Sequence, residues 1–459
     1  MTLGEYIESI KEKKIFVAGI GVSNEPLIRL LCLAGCNVTA ADEREIDRLG
    51  MKALELTTLG CRLKLGKNYL DDIDADLIFR TPGLMPFDPR LEKAVEKGAE
   101  LTSEMELFFR LCPCRTVAVT GSDGKTTTTS IIAEILSASD AKVHVGGNIG
   151  KPLLCEVPMM KESDVCVLEL SSFQLHSMQC RPDVAVVTNV SPNHLDKHKD
   201  FEDYVEAKKN IFTGQRDGDV LVLNADDEIC RRFAAEANSG LRFFSGTDKV
   251  ENGVFEESGT IYRAKDGVIK PIVKVEEILL PGRHNVLNFM AAFAATEELA
   301  DDECCAKVAG EFKGVEHRLE TVRTVSGVTY INDSIGTSPT RAIAGLNAMR
   351  TKPIIILGGH DKQVSFAELA AELCLKAKKA ILTGETADKI EAALLACPEY
   401  ASSPLEYEKV PAFDNAVRAA AACAEEGDIV LLSPACSSFD AFANFSERGK
   451  RFKKLVMEL

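Results

Sequence analysis

The stretch Thr116-Val117-Ala118-Val119-Thr120-Gly121-Ser122-Asp123-Gly124-Lys125-Thr126-Thr127 constrains this chain most. An apolar run reads as a buried strand, breaks into a glycine-flanked turn, and opens a helix through Ile131, Ile132, Ile135 and Leu136 at helical spacing. Glycines let backbone N–H groups close around an anion without a Cβ in the way. The helix N-terminus adds free donors and partial positive charge. Lys125 can reach terminal phosphates, and the Thr126 hydroxyl can ligate Mg²⁺. The strict Walker pattern wants glycine where Val119 stands; here it comes later, at Gly121. The bland reading is a strand–turn–helix with an exposed lysine. Asp123 must point away from phosphate, cap the helix or be offset by metal.

A chain of 459 residues suggests about three domains. Its net charge of −16 argues against a general nucleic-acid or anionic-membrane surface, though not against an anionic substrate held by local donors. No apolar run approaches the length that spans a bilayer. The charged N-terminus, with Glu5, Glu8 and Glu12, is not expected to be a signal peptide. The fifteen cysteines include no C-x-x-C pair, and Cys112-Pro113-Cys114 and Cys304-Cys305 lack partners at zinc spacing, so reduced core thiols in a cytoplasmic protein are expected.

Residues 14–21 form a strand ending in a glycine turn, followed by a helix and a second strand, 37–41, closing on Asp42. This βαβ start lacks the third glycine of the dinucleotide fingerprint, because Asn24 stands there. A third strand stops at Arg80-Thr81-Pro82-Gly83. Beyond the phosphate cradle, strands are predicted at 142–146, 164–170, 183–190 and 219–224, with a helix at 201–213. Residues 241–278 suggest a small antiparallel sheet, and a helix is predicted over 284–300. From Val315 onward strands at 328–332, 353–357, 379–383 and 428–432 alternate with helices. The fold class is therefore α/β, in three domains: 1–103, 104–314 and 315–459.

Four further runs carry candidate chemistry. An apolar strand delivers Glu169 at its C-terminal end, where it can ligate Mg²⁺ or cap the next turn. The next strand ends in Asn189-Val190-Ser191-Pro192-Asn193-His194, whose histidine is a metal ligand or a structural residue. Lys208 and Lys209 lie on an amphipathic helix and read by pattern as surface lysines. Asn285 and Asn288, one turn apart, can hold an adenine edge, or Asn285 can simply cap its helix.

In order, TGSDGKTT, GNIG, ELSSFQL, NVSPNHLD, YVEAKKNIF, LNADD, GRHNVLN, EHR, YINDS and LSPACSSFDAFANFSERG run through the chain. The series resembles the Mur ligases, ATP-dependent amide-forming enzymes of peptidoglycan precursor synthesis, over essentially the whole length. The resemblance implies a Rossmann-like first domain, a central P-loop ATPase domain and a Rossmann-like third domain. It implies ATP and Mg²⁺ as cofactors, with UDP-N-acetylmuramoyl-L-alanine and D-glutamate as substrates of a cytoplasmic monomer. Gly121, Ser122, Asp123, Gly124, Lys125, Thr126 and Thr127 would hold the ATP phosphates, and Asn285 and Asn288 the adenine. Arg318 and Asp333 would close over ATP. Thr126, Glu169, His194 and Lys208, the last as a carbamate, would ligate metal; Lys125, His194, Lys208 and Arg318 form the implied catalytic set. Gly21, Ser23, Asp42, Arg44, Thr81 and Gly83 would surround the uridine diphosphate, with Asn148, Ser172 and Gln174 along the muramoyl group. Thr337, Lys362, Ser438 and Phe445 would bind D-glutamate.

Two runs depart from the family. Its commoner NDSKATN is here Asn332-Asp333-Ser334-Ile335-Gly336-Thr337, so Ile335 removes a lysine expected to meet a glutamate carboxylate. Arg341, nearby in sequence, or another base is the expected substitute. Gly358-Gly359-His360-Asp361-Lys362 stands where Gly-Gly-Asp-Gly-Lys is common. Closure on hinges near 103 and 314 is expected, to keep water from an acyl phosphate. Competing readings are another Mur-type amino-acid ligase, folylpolyglutamate synthase, a non-catalytic nucleotide-binding protein, and a dehydrogenase using Gly19-Ile20-Gly21 and Asp42.

Overall fold

Short runs of β-branched and aliphatic residues set the strand framework. The structure, a computed structural model, describes residues 1–193, 197–361 and 364–459. By internal contacts the chain divides into two units, Met1–Phe312 and Lys313–Leu459. The α/β class holds throughout, with three sheets.

In the first unit β1 (Lys14–Ala18), β2 (Asn37–Asp42), β3 (Arg62–Leu65), β4 (Leu77–Arg80) and β5 (Glu100–Thr102) form a parallel sheet in the order β3-β2-β1-β4-β5. The second sheet of that unit contains β6 (Arg115–Thr120), β7 (Val143–Gly147), β8 (Val165–Glu169), β9 (Val184–Val187) and β10 (Val220–Asn224). It continues through β11 (Gly240–Ser245), β12 (Gly253–Glu257), β13 (Thr260–Lys265) and β14 (Val268–Lys274). Its order is β14-β13-β12-β11-β10-β9-β6-β8-β7. Strands β8, β9 and β10 are buried along their whole length, as parallel strands covered on both faces must be.

The expectation of a small antiparallel sheet over 241–278 is corrected. Strand β11 pairs in parallel with β10, and β12 with β11; only β12, β13 and β14 run antiparallel, so the stretch extends the central sheet. Composition marked the strands, but pairing direction is a tertiary choice that composition does not carry. The outermost strand, β14, exposes Val268 and Ile269 and carries Lys270, Pro271 and Lys274.

The second unit holds β15 (Glu320–Val325), β16 (Val328–Asn332), β17 (Ile354–Gly358), β18 (Lys379–Thr383), β19 (Glu406–Lys409) and β20 (Ile429–Leu432) in the order β15-β16-β20-β17-β18-β19. Only β15 is antiparallel to its neighbour. The half-exposed edges β15 and β19 lack the apolar signal of the inner strands, which is why the pattern passes over them. The helix predicted over 201–213 spans Phe201–Lys209, and the one predicted over 284–300 spans Arg283–Ala295. The charged N-terminus forms the helix Leu3–Ser9, started by a Thr2–Glu5 capping box.

Arg80, at the end of β4, is a buried cation that ties two sheets of the first unit together. Its guanidinium donates to Ser177 Oγ at 2.9 Å, to the Phe173 carbonyl at 2.9 Å and to the Leu84 carbonyl at 3.1 Å. Among the described residues no helix is long and apolar enough to cross a membrane.

Glu104 begins the helix Glu104–Leu111 and is buried, accepting from the Leu154 N–H at 3.1 Å. Burial pushes its carboxyl from 4.5 up to about 7. The native state therefore keeps a proton that the unfolded chain releases, and stability present below pH 4.5 is lost as pH rises through 7. The loss amounts to about 3 kcal/mol. Glu104→Gln, neutral at every pH, should remove this slope. Denaturation midpoints at pH 5 and pH 8 check it: the variant should gain on the wild type at the higher pH.

Candidate active site

At the end of β6 the backbone turns at Gly121 with φ +148°, and a Cβ there would collide with Thr188 Oγ1. The end of β9 then clamps the loop from the side. Ser122 N–H donates to the Asn189 carbonyl at 2.9 Å, Asp123 N–H to Asn189 Oδ1 at 2.9 Å, and Thr188 Oγ1 to the Asp123 carbonyl at 2.6 Å. Ser122 Oγ donates to the Ser191 carbonyl and meets Tyr204 Oη at 2.9 Å. Asp123 is exposed, so its carboxylate need not oppose an anion in the cradle.

Two lysines converge on one oxygen. Lys125 Nζ donates to the Gly121 carbonyl at 2.8 Å and to the Ser122 carbonyl at 2.9 Å; Lys208 Nζ reaches the same Gly121 carbonyl at 2.7 Å. Lys208 is buried beside the Tyr204 ring, 4.5 Å from its centroid, so the surface-lysine reading fails. Burial, then the charge of Lys125, pushes its amine well below the ordinary lysine range.

The helix Lys125–Ala138 buries Thr126 and Thr127. Asn288 packs over its start: Thr128 Oγ1 donates to Asn288 Oδ1 at 3.3 Å, and a Cβ on Gly124 would strike that same oxygen. Asn288 in turn donates to Asn285 Oδ1 at 3.3 Å, and Asn285 to the Pro281 carbonyl at 2.7 Å. Through Asn288 the pair therefore sits against the cradle.

Glu169 ends β8 one strand away, in register with Val119. Its Oε1 accepts from Asn148 Nδ2 at 2.7 Å, while Oε2 is buried without a hydrogen-bond partner. An orphaned carboxylate oxygen is costly unless a cation or donor meets it. Together with the Thr126 hydroxyl it is a hard oxygen donor set, which fits Mg²⁺. His194 lies outside the described residues.

Sequence reasoning missed a hydrogen-bonded row that begins at Ser172. Ser172 Oγ meets His198 Nε2 at 3.0 Å, His198 Nδ1 meets Asp203 Oδ2 at 2.8 Å, and His176 Nε2 meets Asp203 Oδ1 at 2.9 Å. Burial lowers the His198 pKa against the opposing pull of Asp203. Gln174 accepts from Ser171 N–H at 3.0 Å in a capping box. The signal was Asp203, five residues past His198 at the start of a helix; the pairing with Ser172 was not visible.

In the first sheet, Asp42 ends β2 and accepts from Ile20 N–H at 2.7 Å and from Arg44 Nε at 2.7 Å. These bonds and the Arg44 charge hold its carboxyl below the usual range despite burial. Gly19, not Gly21, is the glycine in close contact: a Cβ there would meet Thr81. Asn24, in the place of the third glycine, donates to the Ala18 and Gly19 carbonyls at 3.2 and 3.1 Å. Gly83 is exposed. Ser23 and Gln174 line one shallow pocket with Asn24, Arg80 and Pro82.

In the second unit Asp333 follows β16. It accepts from Ser433 Oγ at 2.7 Å and Leu319 N–H at 3.3 Å, and burial pushes its carboxyl up to about 6. Leu319 and His317, which flank Arg318, both have positive φ, 46° and 66°. Arg448, which the sequence did not single out, is buried and knits the two polar turns of this unit: it donates to Ser334 Oγ and to the Ser334, Cys436 and Ser437 carbonyls at 3.0–3.2 Å. Ser438 is buried nearby in sequence, Phe445 is part-exposed and its carbonyl accepts from Ser334 Oγ at 2.7 Å, and Thr337 N–H donates to the Ile335 carbonyl. Arg341 Nη1 reaches the Ile335 carbonyl at 3.5 Å. Lys362 lies outside the described residues.

Residues 119–296 match the Mur ligase middle domain and 317–436 the Mur ligase glutamate ligase domain. A UDP-N-acetylmuramoylalanine–D-glutamate ligase from Acetivibrio thermocellus is 46% identical over 457 residues, 99% of this chain and 98% of that one. One of the same name from Clostridium novyi is 46% identical over 459 residues, 100% of this chain and 99% of that one. Among solved structures, a UDP-N-acetylmuramate–alanine ligase from Thermotoga maritima shares the fold, with a TM-score of 0.57 and 19% identity, covering 97% of this chain and 100% of that one.

Gly121→Ala should weaken nucleoside triphosphate binding roughly tenfold or more, because strain and the Thr188 collision move the loop. Gly4→Ala, with nothing within 4 Å of the new Cβ, should leave it unchanged. Titration calorimetry on both variants checks this.

Proposed function

The chain belongs to the Mur ligase family, and from that premise we propose that it joins D-glutamate to UDP-N-acetylmuramoyl-L-alanine with cleavage of ATP to ADP and phosphate. The observation that carries the reading is that likeness to D-glutamate ligases runs through 457 residues at 46% identity, across both units. We assign 1–103 to the UDP-linked substrate, 104–314 to ATP and 315–459 to the amino acid. A UDP-linked precursor and ATP are cytoplasmic substrates, so the reaction belongs there.

A carboxylate repels an amine nucleophile. Phosphorylating the terminal alanine carboxylate gives an acyl phosphate with a good leaving group, which the D-glutamate amine then attacks through a tetrahedral intermediate. Little covalent chemistry falls to the protein, and positioning and charge neutralisation dominate. The Gly121–Thr127 loop would cradle the phosphates, and Lys125, now bonded to loop carbonyls, would turn to the terminal ones. Asn285 and Asn288 would hold the adenine, an arrangement supported by their packing on the cradle. Mg²⁺, when bound, would neutralise phosphate charge; Glu169, Thr126, His194 and Lys208 would hold it.

An ammonium cannot ligate a cation, so Lys208 needs the anionic oxygens of a carbamate to serve there. Its burial supports that modification, since a neutral amine is the form that attacks carbon dioxide. Lys208→Arg should remove a carbamate carbon resonance seen with ¹³C-bicarbonate, and with it turnover; a resonance that survives the substitution would belong to another lysine.

For the amino acid, Thr337, Ser438, Phe445 and Lys362 are the proposed contacts. Ile335 leaves one carboxylate without its family partner, and the reach of Arg341 to the Ile335 backbone makes it the proposed replacement. Arg341→Ala should raise the KM for D-glutamate about tenfold with kcat little changed; an unchanged KM removes Arg341 from the site.

Phosphate release with UDP-N-acetylmuramoyl-L-alanine tests the whole reading, comparing D-glutamate with L-alanine, L-lysine, diaminopimelate and L-glutamate. Turnover is expected with D-glutamate alone. Preference for another amino acid would move the enzyme to a sibling step, the reading that Ile335 favours. ATP binding without turnover would leave a nucleotide-binding protein.

A further inference from the structure

The sequence shows Cys112-Pro113-Cys114 without a partner pair, but the fold supplies a third thiol. Cys166, the second residue of β8, lies beside Thr116 of β6 in register. The Sγ atoms of Cys112, Cys114 and Cys166 all lie within 4.8 Å of one another. Cys112 and Cys166 Sγ are 3.7 Å apart, and Met160 Sδ stands 3.9 Å from Cys166 Sγ. A tetrahedral ion with bonds of ~2.3 Å holds its sulfurs about 3.8 Å apart. The Cys112–Cys166 pair already has that ligand–ligand spacing, well beyond the ~2.05 Å of a disulfide bond, and Cys114 is close by.

The donors are three thiols and a thioether, a set that selects soft cations over Mg²⁺. Cys114 and Cys166 are buried, while Cys112 is part-exposed, which leaves an approach from solvent. We propose that Cys112, Cys114 and Cys166, with Met160 alongside, form a binding site for one soft thiophilic d¹⁰ cation. The site is separate from the phosphate cradle: it sits at the start of β6, and the cradle at its end. Binding releases the thiol protons and fastens the chain entering β6 to β8, the two strands that present Gly121 and Glu169.

Cadmium is the probe. The reduced full-length chain, titrated with Cd²⁺, should bind one equivalent that survives desalting and shows thiolate-to-metal charge-transfer absorption. Cys112→Ser should abolish that equivalent while keeping ligase turnover, which shows that the variant is folded. Cys304→Ser, a helix cysteine outside the cluster, should keep it. Alkylation mapped by mass spectrometry gives a second readout on the unaltered chain: Cd²⁺ should protect Cys112, Cys114 and Cys166 together. No retained equivalent, the same equivalent in Cys112→Ser, or protection spread over unrelated cysteines would each overturn the site.

Discussion

A single carbonyl oxygen, that of Gly121, accepts from the side-chain nitrogens of two lysines, and the surrounding structure is arranged to make that possible. The backbone presents this oxygen from a residue at φ +148°, where Thr188 fills the space a Cβ would need. Thr188 and Asn189 hold the loop because β9 lies next to β6. Glu169 arrives from the other side because β8 does too. Three parallel neighbours ending at one edge thus bring a cradle, a carboxylate and a buried lysine together, with the cationic end of the helix Lys125–Ala138 completing the set.

What was legible in the sequence follows from this. Apolar strands that stop at a polar residue announce the ligand edge of an α/β sheet, so Asp42, Glu169 and the Gly121 loop could be placed from the sequence, while Asp333 came only with the family resemblance. The family resemblance added roles that spacing does not contain, chiefly for Lys208, whose helix reads as an ordinary surface helix. Its burial is a tertiary fact: the residue looks like its neighbour Lys209, which pairs at the surface with Glu206 and Glu236.

The residues that escaped notice share a cause. Arg80 and Arg448 are buried cations whose partners are mostly backbone carbonyls, and carbonyls carry no sequence signature. Burial lowers both guanidinium pKa values, to about 10, which still leaves them charged at neutral pH. The row that joins Ser172 to His198, Asp203 and His176 is assembled from a short helix, a loop and a second helix, and Cys166 comes near Cys112 because β8 pairs with β6 just past it. Edge strands β15 and β19 escaped for the opposite reason: they are too exposed to show the apolar run that marks a strand.

The outer edge of the nine-stranded sheet has a consequence for chains that meet one another. Strand β14 presents unpaired backbone groups next to the exposed Val268 and Ile269, which is the profile of a surface that recruits another strand. Pro271 has no N–H to offer an incoming strand, and Lys270 and Lys274 add exposed positive charge along the same edge. A sheet this long is therefore guarded at that border against growing into a neighbouring molecule, and the guard is carried by three residues that touch neither substrate nor core.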